Sequence, residues 1–325
     1  MSKALSIIAF LLLAIAPGLW AQERQVATYS GVSGSLGPQW LAVDRHLFEK
    51  YGAKIDWVLM TGAVRGMQAL LSGSSDYYTG DPVGPITASL QGGDIVIVGN
   101  MINRIAGSIL ARKEIREPTD LRGKKIGIAS FGGATELSVI LSLKKWNLPP
   151  DAVSLIQSGL PQDRLSAVMK GALDATPLTP PHSIEAARRG LNVLIDFKDI
   201  EAFPGRVIAV RRSFLEKNRD TVKRFLKAYS EAVYQFSNDK KLGIATFAKW
   251  LKEKNVQINE ETYEFYRDLL SFPPRAVRGE GLRVGIQLIA QRLGRGNTNL
   301  NIERFCDERL LDELEKEGFF SLIAK

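Results

Sequence analysis

The pattern of apolar and polar residues occurs twice along this chain. Residues 26–98 form one copy and residues 126–195 form the other. In each copy, short apolar runs bounded by Gly and Ser predict strands, and apolar residues at helical spacing between them predict amphipathic helices. We therefore predict a strand-helix-strand unit that is used twice.

Glycine, aspartate and proline keep the same offsets in the two copies. The second helix of each copy ends at a glycine, an aspartate follows three residues later, and a proline stands nine residues after the glycine. These residues are Gly73, Asp76 and Pro82 in the first copy and Gly171, Asp174 and Pro180 in the second. A glycine suits the left-handed residue that closes many helices. Chance alternation would not keep these offsets, so we interpret them as a duplicated folding unit.

Units of this kind form parallel sheets with helices on both faces, and ligands lie beyond the carboxyl ends of the strands. The predicted fold class is α/β, with two doubly wound lobes joined by a two-segment hinge. Apolar runs at residues 108–111 and 207–210 flank the second copy, and we interpret them as the strands by which the chain enters and leaves it.

The domain prediction follows from these crossings. From about residue 212 the chain is predicted to be helical, with an apolar stripe that includes Phe225 and Tyr229 and packs on the first lobe. The predicted units are a leader at residues 1–21, a first lobe formed by residues 22–107 and 206–325, and a second lobe formed by residues 108–205.

The amino terminus has the pattern of a signal peptide. Lys3 precedes an apolar run at residues 4–16, and Pro17-Gly18 separates that run from a cleavage site after Ala21. A membrane anchor is the alternative, but a spanning helix needs about 20 apolar residues. We expect a cleaved leader and a periplasmic protein.

Composition excludes several classes of function. The net charge of +8 is modest and is spread along the chain, so no block resembles a nucleic-acid-binding surface. The single cysteine, Cys306, excludes an internal disulfide, and His46 and His182 do not have the spacing of metal ligands. The glycines of residues 31–37 do not match a phosphate-binding loop, and no nucleophile motif is present. We expect no metal, no cofactor and no catalysis.

Several motifs together resemble a known family. The sequence resembles the substrate-binding proteins of nitrate/taurine/sulfonate-type ABC transporters, which are related to proteins that bind or make thiamine-pyrimidine precursors. The motifs are Leu41-Ala42 with FEKYG at 48–52, QALLSG at 68–73 with Asp76, GGDIV at 92–96, DLRGKKIG at 120–127 and GALDA at 171–175.

The resemblance implies a hinged clamp of the periplasmic binding protein type II kind. Such a clamp holds a small polar or anionic organic molecule, or an oxyanion, between its lobes. It delivers that solute to an ABC permease and its ATPase, a role for which a monomer suffices. A sensor protein that presents its ligand to a membrane receptor remains an alternative, and a pyrimidine-precursor enzyme is a weaker one.

The loops after the predicted strands supply the candidate ligand contacts. Glycines there let backbone N–H groups approach a ligand, hydroxyls donate hydrogen bonds, and helix N-termini favour negative charge. Tight turns are the structural alternative for any single loop. The candidates are Tyr29, Ser30, Gly31, Ser33, Trp40, Thr61, Gly62, Thr79, Gly80, Asp81, Ser130, Gly132, Gly133, Ala134, Thr135, Ser158, Gly159, Thr179 and Pro180.

Four aromatic residues and two arginines have a second interpretation. Of the aromatic residues Tyr29, Trp40, Tyr77 and Tyr78, we expect at least two to be core residues. Arg65 and Arg164 begin equivalent helices and would suit an anion, but a solvated helix face is the expected place for each.

Overall fold

The computed structural model describes residues 24–60, 62–200, 203–276, 279–296 and 301–325. The predicted leader, residues 1–21, lies outside the described residues. In the described part of the chain, no helix combines the length and the apolar character needed to cross a membrane.

Ten strands form two five-stranded sheets. The first sheet has the order β2-β1-β3-β10-β4 and the second has the order β7-β6-β8-β5-β9. The strands are β1 Arg24–Tyr29, β2 Lys54–Leu59, β3 Tyr77–Gly80, β4 Ile95–Ile102, β5 Ser108–Ala111, β6 Lys125–Ile128, β7 Ser154–Gln157, β8 Ala175–Leu178, β9 Asn192–Asp196 and β10 Arg206–Arg211. Each strand of one sheet has an equivalent at the same place in the other, which confirms the predicted repeat.

Both sheets are mixed, whereas the repeat predicted parallel sheets. β10 runs antiparallel to β3 and β4, and β5 runs antiparallel to β8 and β9. A parallel neighbour requires a long crossover within one sheet. β5 and β10 instead follow short connections from the other sheet, at residues 103–107 and 197–205, and so enter in the opposite direction.

Fourteen helices are described along with the strands. The helices are α1 Gly37–Asp44, α2 Leu47–Lys50, α3 Ala63–Ser72, α4 Val83–Leu90, α5 Ala134–Lys145, α6 Pro161–Met169, α7 His182–Arg188, α8 Arg212–Lys217, α9 Arg219–Asn238, α10 Lys240–Leu251, α11 Val256–Arg267, α12 Glu280–Arg292, α13 Arg309–Lys316 and α14 Phe319–Ile323. The sequence predicts one helix where α1 and α2 lie, and His46 separates the two with a φ of 52°.

Helices α9, α10, α11, α13 and α14 share an apolar core with the first sheet. The apolar stripe of α9 is fully buried, and its Phe225 stacks on Tyr77 of β3 with ring centroids 4.0 Å apart. Tyr78 is also buried, so the expectation that at least two of the four aromatic residues belong to the core is confirmed. Cys306 is buried as well.

The repeated aspartates have the same structural role in both lobes. An Oδ2 atom of Asp76 accepts from the backbone N–H of Val26 at 3.0 Å, and Oδ2 of Asp174 accepts from that of Lys125 at 2.8 Å. Each carboxylate therefore pairs an N–H at the amino end of β1 or β6. The matching offsets reflect the folding of the sheets.

The repeated glycines have left-handed backbone and lie against an arginine at the end of each crossing strand. Gly73 and Gly171 have φ values of 82° and 76°. The guanidinium groups of Arg211 and Arg112 lie against them and approach the repeated aspartates at 3.8 Å. A side chain at either glycine would meet both a strained backbone and this arginine.

Replacing either repeated aspartate by alanine should destabilise the protein to a similar extent. Asp76→Ala and Asp174→Ala each leave a strand N–H without its acceptor, which costs about 1–3 kcal/mol. Urea unfolding measures the change in the free energy of unfolding. The matched control is Asp151→Ala, at an exposed carboxylate outside the sheets, and an equal loss in that control would contradict the assigned role.

Candidate functional site

A cavity of about 190 Å³ lies between the two lobes, at the carboxyl ends of strands from both sheets. The residues that follow β1, β2 and β3 line it from the first lobe, and those that follow β6, β7 and β8 line it from the second. A water needs on the order of 10–15 Å³ on this measure, so the cavity has room for a small organic molecule.

Most of the predicted loop residues lie around this cavity. The predicted residues that line it are Ser30, Gly31, Ser33, Gly62, Asp81, Ser130, Gly133, Ala134, Thr135, Gly159 and Thr179. The predicted residues outside the lining are Tyr29, Trp40, Thr79, Gly80, Gly132, Ser158 and Pro180. Thr61 lies outside the described residues.

The two predicted aromatic contacts belong to the packing of the first lobe. Trp40 is buried and stacks on Trp250 at 5.7 Å with nearly parallel rings. Tyr29 packs against the same apolar core. Helical and strand spacing place such residues on a face without telling whether that face meets the cavity or the core.

The other predicted residues outside the lining support their neighbours. The carbonyl of Thr79 accepts from Arg206, and the N–H of Gly132 donates to Glu136 at 2.6 Å. The Ser158 hydroxyl donates to the carbonyl of Ile156, and the carbonyl of Pro180 accepts from the Tyr266 hydroxyl.

Gly80 leaves space within the loop that follows β3. A Cβ atom at this position would overlap the Tyr78 hydroxyl and Oγ of Ser30. Gly80 therefore lets Ser30, which lines the cavity, lie close to β3.

Three helices begin at residues that line the cavity. These are α3 after Gly62, α5 after Gly133 and α6 after Leu160, and none of the three N-cap residues caps its helix with a side-chain hydrogen bond. Uncapped N–H groups and the helix dipole both favour a negatively charged group.

Arg206 is the main cavity residue that the sequence analysis missed. It is the first residue of β10, it lines the cavity and only 4% of its surface is exposed. Its Nη1 donates to Oγ of Ser35 and its Nη2 to the carbonyl of Thr79, both at 3.1 Å. Among the described residues, Nε has no acceptor. The signal in the sequence was an arginine directly before the apolar run that returns from the hinge.

Arg164 corrects a prediction, because it lies inside the second lobe instead of on a solvated helix face. Only 3% of it is exposed, and it lines the cavity. It donates to Thr176 and to the carbonyls of Gly159 and Pro177, the last at 3.1 Å. Burial lowers the pKa of its guanidinium to about 10. The equivalent Arg65 is exposed, as predicted.

Asp81 brings a carboxyl group to the same cavity. Its Oδ1 accepts from the N–H of Val83 at 3.1 Å. Burial raises the pKa of Asp81 to about 6, although the N–H groups of the loop and the nearby Arg206 oppose that rise. The described part of the chain brings no group of three or more His, Cys, Asp or Glu side chains together as a metal site.

The hinge segments supply an apolar wall that sequence reasoning also missed. Spacing alone does not show that residues between the two lobes face the cavity. The apolar lining residues of the two segments and their ends are Ile102, Ile105, Ala106, Phe197 and Pro204.

A family model described as NMT1/THI5 like matches residues 35–240, which is more than half of the chain. The chain belongs to the NMT1/THI5-like family. The resemblance seen in the sequence motifs is confirmed by this match.

Two curated relatives show how far the similarity extends. A putative aliphatic sulfonates-binding protein of Bacillus subtilis is 26% identical over 62% of this chain, and the chain spans 63% of that relative's length. A protein of the same description from Escherichia coli is 27% identical over 66% of this chain and 68% of its own length.

Solved structures share the two-lobed fold. A protein of Bordetella bronchiseptica has a TM-score of 0.78 and 17% identity, and covers 91% of this chain and 98% of its own. The periplasmic aliphatic sulphonate binding protein of E. coli has a TM-score of 0.72 and 23% identity, and covers 88% and 92%. The predicted fold class of this NMT1/THI5-like chain is confirmed.

Replacing Asp81 by asparagine should remove a loss of stability that develops as the pH rises from 3.8 to about 6. The folded protein holds this proton up to a pH of about 6, whereas an ordinary aspartate releases it near 3.8. Between these values the folded state binds more protons at Asp81 than the unfolded state does, so the contribution of Asp81 to stability falls as the pH rises. Unfolding at a series of pH values should show wild type losing stability relative to Asp81→Asn over this range.

The control for removing one carboxylate is Asp151→Asn, at an exposed site. Parallel profiles for wild type and Asp81→Asn would contradict the elevated pKa.

Proposed function

We propose that this protein is the solute-binding component of an ABC importer. It captures a small polar or anionic organic molecule, or an oxyanion, between its two lobes and delivers it to a membrane permease and its ATPase. The observation that carries the proposal is the cavity lined by strand-end loops of both lobes. A site built from two lobes changes when they move, so solute binding and lobe closure are linked.

The relatives support this role. Those described as putative aliphatic sulfonates-binding proteins match 62% and 66% of this chain, and an alkanesulfonate-binding protein from Xanthomonas axonopodis bound to MOPS has the same fold with a TM-score of 0.71. A periplasmic location and a monomer complete the proposal, with the leader at residues 1–21 directing export.

Contacts across the cleft fit a closed clamp. Arg188 of α7 in the second lobe forms an ion pair of 2.7 Å with Glu261 of α11, which packs on the first lobe. On another side, Arg292 of α12 pairs with the buried Glu136 of α5 at 2.5 Å. Opening the lobes breaks both pairs.

The energy required for closure is within the reach of such a site. Moving a clamp from 1:99 to 99:1 in favour of closure takes about 5.5 kcal/mol of differential binding. Buried hydrogen bonds contribute about 0.5–1.5 kcal/mol each, and more when one partner is charged. A few polar contacts together with the apolar hinge wall supply this amount.

Two measurements test the proposed role. Native mass spectrometry of gently purified protein should show a bound small molecule, and small-angle scattering should show compaction when that molecule is added back to stripped protein. Permease and ATPase subunits should co-purify with the protein from membranes. Saturation with the molecule and no compaction would contradict the clamp, and capture of a receptor without a permease would contradict transport.

Reversing the charge of Arg188 should weaken solute binding from outside the cavity. Arg188→Glu replaces the cross-cleft attraction to Glu261 by repulsion, and both side chains are partly exposed, so affinity should fall about threefold to tenfold. Most of the loss should appear as faster dissociation in stopped-flow measurements, because the pair forms only in the closed state.

The matched control lies one residue away. Arg189→Glu makes the same charge change, but Arg189 pairs with Glu185 inside the second lobe. The double exchange Arg188→Glu with Glu261→Arg should restore affinity. Equal effects of Arg188→Glu and Arg189→Glu would contradict a role for the cross-cleft pair.

A further inference from the structure

We infer that Arg292 is a positioning residue of the solute site, because its ion pair with Glu136 fixes a cavity loop of the second lobe only when the clamp is closed. The loop is residues 129–133, between β6 and α5. This inference rests on the proposed solute-binding role and adds a device by which closure of the lobes sets the geometry of the site.

Two side chains in the first turn of α5 anchor this loop. Oγ1 of Thr135 accepts a hydrogen bond from the N–H of Ala129 at 2.9 Å, and Oε2 of Glu136 accepts one from the N–H of Gly132 at 2.6 Å. A glutamate in the first turn of a helix commonly reaches back to an N–H in this way. Cavity-lining residues stand on both sides of Gly132, so this second anchor determines where they lie.

The carboxylate of Glu136 is shared between the two lobes. Only 4% of the side chain is exposed, and the Oε2 atom that holds Gly132 lies 2.5 Å from Nη1 of Arg292. A buried carboxylate is costly unless a cation and hydrogen bonds compensate it. Arg292 therefore keeps the carboxylate in the orientation that accepts from Gly132.

Arg292 belongs to the first lobe. It is the last residue of α12, which packs on α4. Three residues further on, Arg295 donates to the carbonyl of Leu90 at the end of α4, at 2.5 Å. These contacts fix the end of α12 to the first lobe, so Arg292 moves away from Glu136 when the lobes open.

Opening of the clamp thus weakens one anchor of the loop and leaves the other intact. Thr135 and Ala129 lie in the same lobe, so the hydrogen bond between them persists. Glu136 loses its cation, and water that reaches the carboxylate competes with the N–H of Gly132. The closed clamp and the ordered loop therefore stabilise each other.

The first lobe has no side chain at the position equivalent to Glu136. Val26 and Lys125 are equivalent, since the backbone N–H of each donates to a repeated aspartate. Counting eleven residues on from each gives Gly37 and Glu136. A Cβ atom on Gly37 would overlap the ring of Phe236 in α9. The repeated frame does not require an acidic residue here, which favours a role specific to the second-lobe loop.

Hydrogen exchange in a clamp that is held closed tests the inference without a solute. Arg188→Cys and Glu261→Cys, joined by a short bismaleimide, replace the ion pair between α7 and α11 and hold the lobes together. The natural cysteine, Cys306, is buried and should not react. Mass spectrometry then measures the amide exchange rates of residues 130–133 in this cross-linked protein.

Arg292→Gln should speed exchange at residues 130–133 about tenfold in the cross-linked protein, because Glu136 loses its charged partner. Arg292→Lys should restore most of the slow exchange. Arg283→Gln, at an exposed arginine of the same helix, should leave the rates unchanged. In a Glu136→Gln background, Arg292→Gln should have no further effect, because Arg292 acts through Glu136.

The outcomes separate the inference from the proposed function. A change of less than twofold in Arg292→Gln, an equal change in Arg283→Gln, or a tenfold change that persists in the Glu136→Gln background would overturn the inference and leave the solute-binding role intact. Failure of the cross-link to form would instead contradict the closed clamp, and with it the proposed function.

A comparison at position 292 keeps the inference testable if Glu136→Gln folds poorly in circular dichroism. Arg292 is 46% exposed, so its variants should keep the spectrum of wild type. Exchange at residues 130–133 that is equally fast in Arg292→Lys and Arg292→Gln would overturn the inference, because lysine retains the charge that Glu136 requires.

Discussion

The antiparallel crossing strands are the constraint on which the rest of the structure depends. Each sheet accepts one strand that arrives from the other lobe, β5 or β10, and that strand runs against its neighbours. Its first residue therefore lies at the carboxyl ends of the strands beside it, as the pairing of Val207 with Gly80 shows. The hinge, the cavity and the buried Arg206 meet at this edge because of the strand's direction.

The same constraint separates structural chemistry from cavity chemistry along a single strand. β10 begins with Arg206 at the cavity and ends with Arg211 at the opposite edge of the sheet, where Arg211 lies against Gly73 and Asp76. Two arginines in one short strand thus have different surroundings. Arg211 lies 3.8 Å from the Asp76 carboxylate, whereas Arg206 is buried beside the cavity and donates to Ser35 and Thr79.

The sequence predicted those features that arise from local patterns used twice. Gly73 and Gly171 mark helix ends because a left-handed residue is needed there, and Asp76 and Asp174 stand at a fixed distance from them because each pairs a strand N–H. The glycine requirement is local and the aspartate hydrogen bond recurs in both copies, so both appear as fixed offsets in the sequence. Most of the predicted loops surround the cavity for the same reason, since strand ends follow from the strand pattern.

The features that the sequence did not reveal depend on contacts that do not recur in the other copy. Arg164 was predicted to lie on the surface, because helical spacing does not show that Thr176 and Pro177 accept its hydrogen bonds. Trp40 was predicted to contact a ligand, because the sequence around it does not indicate that its ring stacks on Trp250. A duplicated frame has two equivalent strand-end positions at the hinge, and their occupants, Arg206 and Gly107, differ in charge and size. Arg206 therefore has no counterpart on β5, and the buried arginine of the second lobe, Arg164, reaches the cavity from α6 instead.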